Sequence, residues 1–214
     1  MTAIRKFVDE GGGFIGVGEP TACQHQGRYF QLSDVMGVDR EMGFSLSTDK
    51  YNTCDPHHFI LEDIDTAVDF GEGTTRIYAQ GKHYQILAQD GEYSQLVVNE
   101  YGKGHSVYFA GLPYSPQNCR ILLRAIYYAA GMPEEMKHYY VTNVDTEVTV
   151  FPETKRIAVI NNADAEEKTD LYIKGHLIDS LPHQHLKLNW YFCIHASCQV
   201  SACLLYTSPS PRDS

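Results

Sequence analysis

The hydrophobic pattern of this 214-residue chain changes its period near Pro133, and this change limits what the chain can fold into. Before Pro133, glycine-bounded apolar runs are mixed with amphipathic segments of helical period, which is typical of a layered α/β domain. After it, apolar and polar residues alternate one by one, as in half-exposed antiparallel strands. We therefore predict an α/β domain over residues 1–135 and a small all-β sandwich over residues 136–192.

The first domain opens on a predicted helix, Thr2–Glu10, which Gly11 would end. Its apolar residues share one face: Ile4, Phe7 and Val8. Phe14–Val17 follows with the glycine-bounded pattern of a strand in a parallel sheet. Because a helix that leads into such a strand normally crosses over from an earlier parallel strand, we expect an upstream strand and interpret Met1 as an internal methionine.

A second helix is predicted over Tyr29–Met36, ended by Gly37, and a third begins at Ser115 and Pro116. The apolar stripe of the third helix is Ile121, Leu122, Ala125, Ile126 and Ala129. Between the second and third helices we predict short strands at residues 67–70, 76–79, 84–89, 94–101 and 105–111. Glycines at 102 and 104 predict that the last two strands form a hairpin or a strand pair at the sheet edge.

Four alternating segments predict the strands of the second domain: residues 139–151, 156–161, 168–173 and 185–191. Beyond about Phe192 the chain has neither strand alternation nor helical periodicity. Its final string, LLYTSPSPRDS, resembles a translated sequencing adapter. We therefore predict that residues 193–214 are a non-native tail and exclude them from the interpretation of function.

Charge and hydropathy exclude several classes of function. The chain has 17 basic and 27 acidic residues, a net charge of −10 that would repel a nucleic-acid backbone. The sequence has no apolar run near the ~20 residues of a membrane-spanning helix, and the amino terminus does not have the pattern of a signal peptide. We predict a cytoplasmic protein that binds neither nucleic acid nor membrane.

The best candidate site in the sequence is the loop that follows the Phe14–Val17 strand. In open α/β sheets, ligands bind beyond the carboxyl ends of the strands. The residues there that can hydrogen-bond sugar hydroxyls or meet an anion, or that shape the loop, are Glu19, Pro20, His25, Gln26 and Arg28. We predict that they bind substrate, while a solvated connecting loop is the alternative.

The cysteines suggest two other sites, both weakly supported. Cys23 could pair with His25, His57 or His58 for thiol catalysis, but it lies past the turn where a nucleophile normally sits. Cys23, His25 and the Cys54–His58 segment could bind zinc, although the paired spacings of structural zinc sites are absent. We therefore assign no catalytic residue, no metal and no cofactor.

Two long strings carry a resemblance to a known family: GEPTACQHQGRYFQL at residues 18–32 and NEYGKGHSVYFAGLPYS at residues 99–115. They resemble the 1,3-β-galactosyl-N-acetylhexosamine phosphorylases, also called lacto-N-biose or galacto-N-biose phosphorylases, of glycoside hydrolase family one hundred and twelve. The likeness covers nearly all of residues 2–191 and weakens after Asp164.

The resemblance implies an inverting phosphorolysis that gives galactose 1-phosphate and an N-acetylhexosamine, with inorganic phosphate as co-substrate. It also implies that the catalytic acid lies in a barrel domain that this chain lacks. The first domain would then be a partial open sheet of the class I glutamine amidotransferase type without a working nucleophile. The implied partners are the disaccharide and phosphate, bound through the missing barrel, and a homodimer is an assembly that the sequence allows.

Two further interpretations stay open beside that of an inactive part of a phosphorylase. One is a thiol-dependent hydrolase of amidotransferase type, which requires Cys23 to contact an imidazole. The other is a structural or carbohydrate-binding module, which requires aromatic residues such as Tyr139, Tyr140 or Trp190 to line a shallow groove.

Overall fold

The computed structural model describes residues 1–21, 29–41, 53–64, 67–151, 153, 156–163, 168–173, 176–181, 191–195 and 203–205. The chain divides into two compact units, Met1–Pro133 and Glu134–Ser214. In the part of the chain that the structure describes, no helix has the length and apolar character needed to cross a membrane. The mixed α/β class with a small sandwich-like β part agrees with the fold expected from the sequence.

The first unit is built around a four-stranded mixed sheet of β1 (Gly13–Val17), β4 (Tyr84–Asp90), β5 (Tyr93–Tyr101) and β6 (Gly104–Phe109). The order of the strands in the sheet is β1-β6-β5-β4. Strand β1 runs parallel to β6, whereas β5 is antiparallel to both β6 and β4. The predicted β5–β6 hairpin is confirmed, because Tyr101 pairs with Gly104 across the turn.

Helices and a small ribbon cover the two faces of this sheet. The elements are α1 (Thr2–Asp9), α2 (Ser33–Met36), a 3₁₀ helix (Phe59–Leu61), α3 (Pro116–Ala129) and the ribbon of β2 (Val38–Arg40) with β3 (Ile77–Ala79). Alternation along β5 separates the two cores: Val97 packs with α1, α2 and the ribbon, while Leu96 and Val98 pack with α3 and the 3₁₀ helix.

Two predicted elements of this unit are corrected, one in its start and one altogether. The second helix begins at Ser33 rather than Tyr29, because the chain before it is held by buried Asp39, which accepts hydrogen bonds from the backbone N–H groups of Tyr29 and Phe30. Residues 67–70 form no strand, since Asp69 caps the backbone N–H of Gly71 in a local turn instead.

The helix caps and stripes are largely as predicted. The Ser115 hydroxyl accepts a hydrogen bond from the backbone N–H of Asn118 at 3.0 Å, and Pro116 takes the first position of α3. Two side chains assigned to inner faces are instead exposed: Phe7 of α1 at 58% and Ile126 of α3 at 48%. Arg124, which the pattern leaves on the polar face of α3, is buried.

The second unit contains two antiparallel sheets and begins within the short helix α4 (Pro133–Met136). The strands are β7 (Tyr139–Val141), β8 (Thr146–Phe151), β9 (Arg156–Asn161), β10 (Thr169–Ile173), β11 (His176–Leu181), β12 (Tyr191–His195) and β13 (Cys203–Leu205). The first sheet has the order β11-β10-β7 and the second β13-β12-β9-β8. Val141 and Leu171 of one sheet cluster with Ile157 and Val159 of the other, which is the core of a small sandwich.

The strand pattern of this unit corrects three expectations. Residues 139–151 form two strands rather than one, because Thr146 and Thr169 side chains stabilise a turn between them. Strand β11 was not predicted, and residues 185–190 lie outside the described residues. Strands β12 and β13 extend into the segment expected to lack regular structure, since pairing with the edge of β9 needs only main-chain groups.

Candidate functional site

The candidate site lies at the carboxyl ends of β1 and β6, the two parallel strands of the first unit. The backbone N–H of Gly18, with φ at +65°, donates to the carbonyl of Phe109 at 2.9 Å and turns the chain out of the sheet. From the neighbouring loop, the backbone N–H of Thr74 donates to the carbonyl of Ala110 at 2.8 Å. Loops from both strands therefore meet at one edge, where open α/β sheets bind ligands.

Glu19, Tyr29 and Arg40 form a polar group at this edge, which we call the Glu19 cluster. Glu19 Oε1 accepts a hydrogen bond from the Tyr29 hydroxyl at 3.1 Å and forms an ion pair with Arg40 Nη1. The same Arg40 nitrogen donates to the Tyr29 hydroxyl at 3.2 Å, and the guanidinium lies 5.2 Å from the centre of the Tyr29 ring. The three side chains therefore fix one another in a single arrangement.

A buried carboxylate positions two members of this cluster. Asp39, which is 1% exposed, accepts hydrogen bonds from the backbone N–H groups of Tyr29 at 3.2 Å, Phe30 at 2.8 Å and Arg40 at 2.9 Å. Three N–H donors satisfy a charge that would otherwise be costly to bury. Asp39 thus links the segment of Tyr29 and Phe30 to the end of β2 and holds Tyr29 and Arg40 on the same side of the sheet edge.

Tyr108 forms the buried floor beneath the cluster. Its hydroxyl donates to the carbonyl of Gly18 at 2.8 Å, so it stabilises the turn that carries Glu19. Burial raises the pKa of the Tyr108 hydroxyl far above its ordinary value; a hydrogen bond with Thr74 and the charge of Arg40 oppose the shift, and the charge of Glu19 adds to it. Tyr108 is therefore a neutral hydrogen-bond donor that supports the site rather than a proton-transfer group.

The chemistry available to the Glu19 cluster is recognition of neutral polar groups. The side chains of Glu19 and Arg40 are 41% and 28% exposed, and their charges neutralise each other. Their contacts with each other and with Tyr29 involve one carboxylate oxygen and one guanidinium nitrogen, whereas the two groups together can form about nine hydrogen bonds. A paired carboxylate and guanidinium of this kind suits hydroxyl groups, which both donate and accept.

The predicted site residues have different outcomes. Glu19 lies in the cluster, while Pro20 packs against the backbone of Gly16, where an added Cβ would come within 2.9 Å of the proline ring. His25, Gln26 and Arg28 lie outside the described residues. Tyr29 and Arg40 were not among the predicted site residues. The sequence signal for Arg40 is its position at the end of a short strand after Gly37.

The alternative thiol and metal sites gain no support from the described residues. Cys23 lies outside them, and burial raises the pKa of the Cys54 thiol, with the charge of Asp55 adding to the effect. The imidazole of His57 hydrogen-bonds the Asp55 carboxylate at 2.8 Å. Among the described residues, no group of three or more His, Cys, Asp or Glu side chains is placed to hold a metal ion.

The aromatic residues named for a carbohydrate-binding groove in the second unit have other contacts. Tyr139 packs against the hydrophobic cluster, and the rings of Tyr140 and Tyr172 stack on each other with centroids 4.7 Å apart and planes at 3°. Trp190 lies outside the described residues. A stacked pair of this kind already covers one ring face of each tyrosine.

We expect His58 to make the stability of the first unit depend on pH. Its Nδ1 accepts a hydrogen bond from the backbone N–H of Ile60 at 3.2 Å, and its ring lies 4.8 Å from that of Tyr128. Burial lowers the pKa of His58 below its ordinary value of 6.5. Burial also raises the pKa of Tyr128 to about 12, so the tyrosine does not titrate near neutral pH.

We expect the stability that neutral His58 provides to be complete above pH 6.5 and lost as the pH falls below it, because the unfolded state binds the proton first. One proton gives a slope of at most about 1.4 kcal/mol per pH unit. Urea unfolding of the wild type and of His58→Asn between pH 7 and pH 5 measures the difference. The exposed His57→Asn variant is the control, and equal slopes in all three proteins would contradict the assignment.

Comparisons with known proteins identify relatives of both units. The family model described as the lacto-N-biose phosphorylase central domain matches residues 1–134, and the one described as the lacto-N-biose phosphorylase C-terminal domain matches residues 139–180. A 1,3-β-galactosyl-N-acetylhexosamine phosphorylase of Lachnoclostridium phytofermentans is 52% identical over 171 residues, covering 80% of this chain and 24% of the relative. One of Bifidobacterium longum is 36% identical, covering 79% of this chain and 27% of the relative.

This chain therefore spans about a quarter of the length of these relatives. Among solved structures, a GH42 β-galactosidase from G. stearothermophilus matches 90% of this chain and 28% of its own chain, at 15% identity and a TM-score of 0.46. That structural likeness is too weak to support an argument.

Proposed function

Because this chain belongs to the lacto-N-biose phosphorylase family, we propose that it is the central and C-terminal part of an enzyme that phosphorolyses β-1,3-galactosyl-N-acetylhexosamines. The observation that carries the proposal is the consecutive match of two domains of that family along one chain, at residues 1–134 and 139–180. Relatives named for this activity, at 52% and 36% identity, support it. The resemblance seen in the two long sequence strings is thus confirmed at the level of the family.

The proposed reaction needs few protein groups. Inorganic phosphate attacks the anomeric carbon of galactose while one carboxyl group protonates the oxygen of the leaving N-acetylhexosamine, which gives galactose 1-phosphate with inversion. Since phosphate is itself the nucleophile, a single catalytic carboxyl suffices and no cofactor is required. We propose that this carboxyl belongs to a barrel domain in the three quarters of the relatives' length that the chain does not span.

We further propose that the first unit is an amidotransferase-like domain without a nucleophile. The sharp turn after a strand of an α/β sheet is where such enzymes place the reactive side chain. Gly18 and Glu19 occupy that turn here, and the Glu19 carboxylate is held by Arg40 and Tyr29. The mixed sheet and this turn support a domain that contributes surface rather than chemistry.

The Glu19 cluster is our candidate for the surface that shapes the N-acetylhexosamine side of the substrate site, together with Pro20, His25, Gln26 and Arg28. It presents paired charges suited to sugar hydroxyls, at an edge where ligands bind in open α/β sheets. We also propose that the enzyme is cytoplasmic, that it binds its disaccharide and phosphate through the barrel, and that it assembles as a homodimer.

A hybrid protein tests this function. It joins the amino-terminal part of the L. phytofermentans relative, up to the point where its match to this chain begins, to this chain. We expect the hybrid to release galactose 1-phosphate from β-1,3-galactosyl-N-acetylglucosamine and phosphate. A hybrid that unfolds cooperatively yet shows no turnover would contradict the proposed function.

Within the hybrid, Arg40→Met tests the role of the Glu19 cluster. The loss of one charged hydrogen-bond donor should raise KM for the disaccharide about fivefold to tenfold and leave kcat within about twofold. Lys82→Met, at an exposed position in the turn before β4, is the matched control and should change neither constant. An unchanged KM in Arg40→Met would exclude the cluster from substrate recognition and leave the proposed reaction standing.

A further inference from the structure

Strand β1 forms one edge of the main sheet, and its outer side has no partner strand among the described residues. Phe14 and Ile15 of β1 are only partly buried, whereas Val107 and Tyr108 of the adjacent β6 are completely buried. The side chains of Phe14 and Ile15 are therefore less completely covered than those of the neighbouring strand β6. An edge strand of this kind exposes a row of N–H and C=O groups that can pair with another strand.

The register of β1 shows which main-chain groups face outward. The backbone N–H of Gly18 donates to the carbonyl of Phe109 of β6. Because successive N–H groups of a strand point to opposite sides, the N–H groups of Gly16 and Phe14 also point toward β6. Those of Ile15 and Val17 therefore point away from β6, and the side chain of Val17 is 43% exposed.

Helix α1 places an apolar side chain above this edge. Phe7 is 58% exposed and lies against the backbone of Gly12, which directly precedes β1. On the opposite flank of α1, Arg5 forms a bidentate ion pair with Asp34 of α2, with Nε–Oδ2 and Nη2–Oδ1 distances of 2.8 and 3.0 Å. The carbonyl of Val35 in α2 accepts hydrogen bonds from the side chains of Asn99 in β5 and Ser106 in β6, so the Arg5 flank of α1 faces the middle of the sheet. Phe7, on the opposite flank, therefore faces the free side of β1.

Helix α3 places a second apolar side chain below the same edge. Its carboxyl end packs on the start of β1, where an added Cβ at Gly13 would contact the carbonyl of Ala129. Arg124 on one flank of α3 bonds the segment that contains the 3₁₀ helix. Leu122 and Ile126, one turn apart on the other flank, therefore lie on the β1 side, and Ile126 is 48% exposed.

We infer that the outer edge of β1, flanked by Phe7 and Ile126, is the docking site of a further parallel β-strand supplied by the amino-terminal part of the longer phosphorylase. The apolar residues above and below match a strand that is apolar on both faces, as strands of covered parallel sheets are. Helix α1 leads directly into β1, and such helices connect neighbouring parallel strands. The inference rests on the proposed function only for the source of the strand.

A second copy of this chain is a less suitable occupant. Two copies related by a twofold axis would pair their β1 strands antiparallel over only five residues, two of them glycines. The relatives, in contrast, contain about three quarters of their length outside the region that this chain spans. A strand from that region is available at high effective concentration in the same polypeptide.

Hydrogen exchange measured on two intact proteins tests this inference without any need for activity. In the isolated chain, we expect the amides of Ile15 and Val17 to exchange at least about a hundredfold faster than those of Phe14 and Gly16, which bond to β6. In the L. phytofermentans relative, we expect the amides aligned with Ile15 and Val17 to be as protected as their neighbours. Fast exchange at these positions in the folded relative would overturn the inference.

Two charged substitutions supply an independent readout. In the isolated chain, Ile126→Glu should leave the unfolding midpoint nearly unchanged, because the side chain reaches solvent. In the hybrid, it should lower the midpoint clearly, and Phe7→Glu should act in the same way. Leu123→Glu, on the outward face of α3 at 46% exposure, is the matched control and should have little effect in either protein.

A measurement of self-association distinguishes the two possible occupants of the β1 edge, a strand of the longer phosphorylase and a second copy of this chain. If the isolated chain dimerises at micromolar concentration, and if Phe7→Glu and Ile126→Glu both abolish the dimer while Leu123→Glu does not, the edge binds a second copy and the inference fails. Equal effects of Ile126→Glu and Leu123→Glu in the hybrid would likewise overturn it. A protected edge in an inactive hybrid would support the docked strand and reject only the proposed reaction.

Discussion

Replacing Arg124 by alanine is expected to lower the free energy of unfolding of the first unit by about 3 kcal/mol. Arg124 is 4% exposed, and its guanidinium donates to the carbonyls of Phe59 and Glu62 and, at 2.7 Å, to the Asp63 carboxylate. The guanidinium carbon also lies 5.6 Å from the centre of the Phe59 ring. Removing the side chain deletes the hydrogen bonds that Arg124 donates to these acceptors and creates a cavity beside them.

This arrangement also explains the conformation of the bonded loop. Asp63 has a φ of +63°, which is unusual for a residue other than glycine and costs about 1 kcal/mol or more. The ion pair with Arg124 holds the residue in that conformation. Urea unfolding followed by circular dichroism measures the effect of Arg124→Ala, with Leu123→Ala at the adjacent exposed position as the control. Equal midpoints for the two variants would show that Arg124 does not anchor the loop.

Replacing Gly104 by alanine is expected to destabilise the first unit by about 3 kcal/mol or to prevent its folding. A Cβ at this position would overlap the backbone carbonyl oxygens of Val8, at the end of α1, and of Gly12, which precedes β1. Neither oxygen can move without displacing the element that contains it. The close approach of α1, β1 and the β5–β6 turn therefore depends on the missing side chain.

Gly12→Ala is a matched control for this prediction. An added Cβ at Gly12 would also overlap its nearest neighbours, but these are ring atoms of Phe7, whose exposed side chain can rotate away. We expect it to cost less than about 1 kcal/mol. A smaller loss of stability in Gly104→Ala than in Gly12→Ala, measured by urea unfolding, would refute the role assigned to this packing.

The elements that sequence predicted well are those whose local signals and tertiary contacts agree. Ser115 and Pro116 mark the start of α3 by local capping chemistry, and Gly102 marks the β5–β6 hairpin. Arg124 is absent from the apolar stripe predicted for α3, because such a stripe is defined by apolar residues alone. Its burial depends on carbonyls more than 60 residues away, which no local pattern contains.

The sequence predicted where the candidate site lies, but only some of the residues that meet there. The rule for the carboxyl ends of strands located Glu19 correctly at the sheet edge. Arg40 and Tyr29 meet Glu19 only because the β2–β3 ribbon and buried Asp39 hold them there. Such contacts follow from tertiary packing, so a search for nearby polar residues in the sequence selected the loop after Glu19 instead.

The prediction of a strand at residues 67–70 is wrong for a different reason. Its apolar alternation is real, and Phe70 is 5% exposed in the core that contains α3. Its backbone carbonyl groups, however, accept side-chain hydrogen bonds, among them one from Asn118 to Asp69 at 2.9 Å. Burial without a neighbouring strand thus produces the same pattern as a strand.

The central claim is that the proton donor for phosphorolysis lies outside this chain, and release of galactose 1-phosphate by the purified chain tests it most directly. The chain is incubated with β-1,3-galactosyl-N-acetylglucosamine and phosphate, with the L. phytofermentans relative as the positive control. We expect no release above the blank from the chain and rapid release from the relative. Turnover by the chain alone would contradict the claim, because the chain itself would then have to contain the catalytic acid.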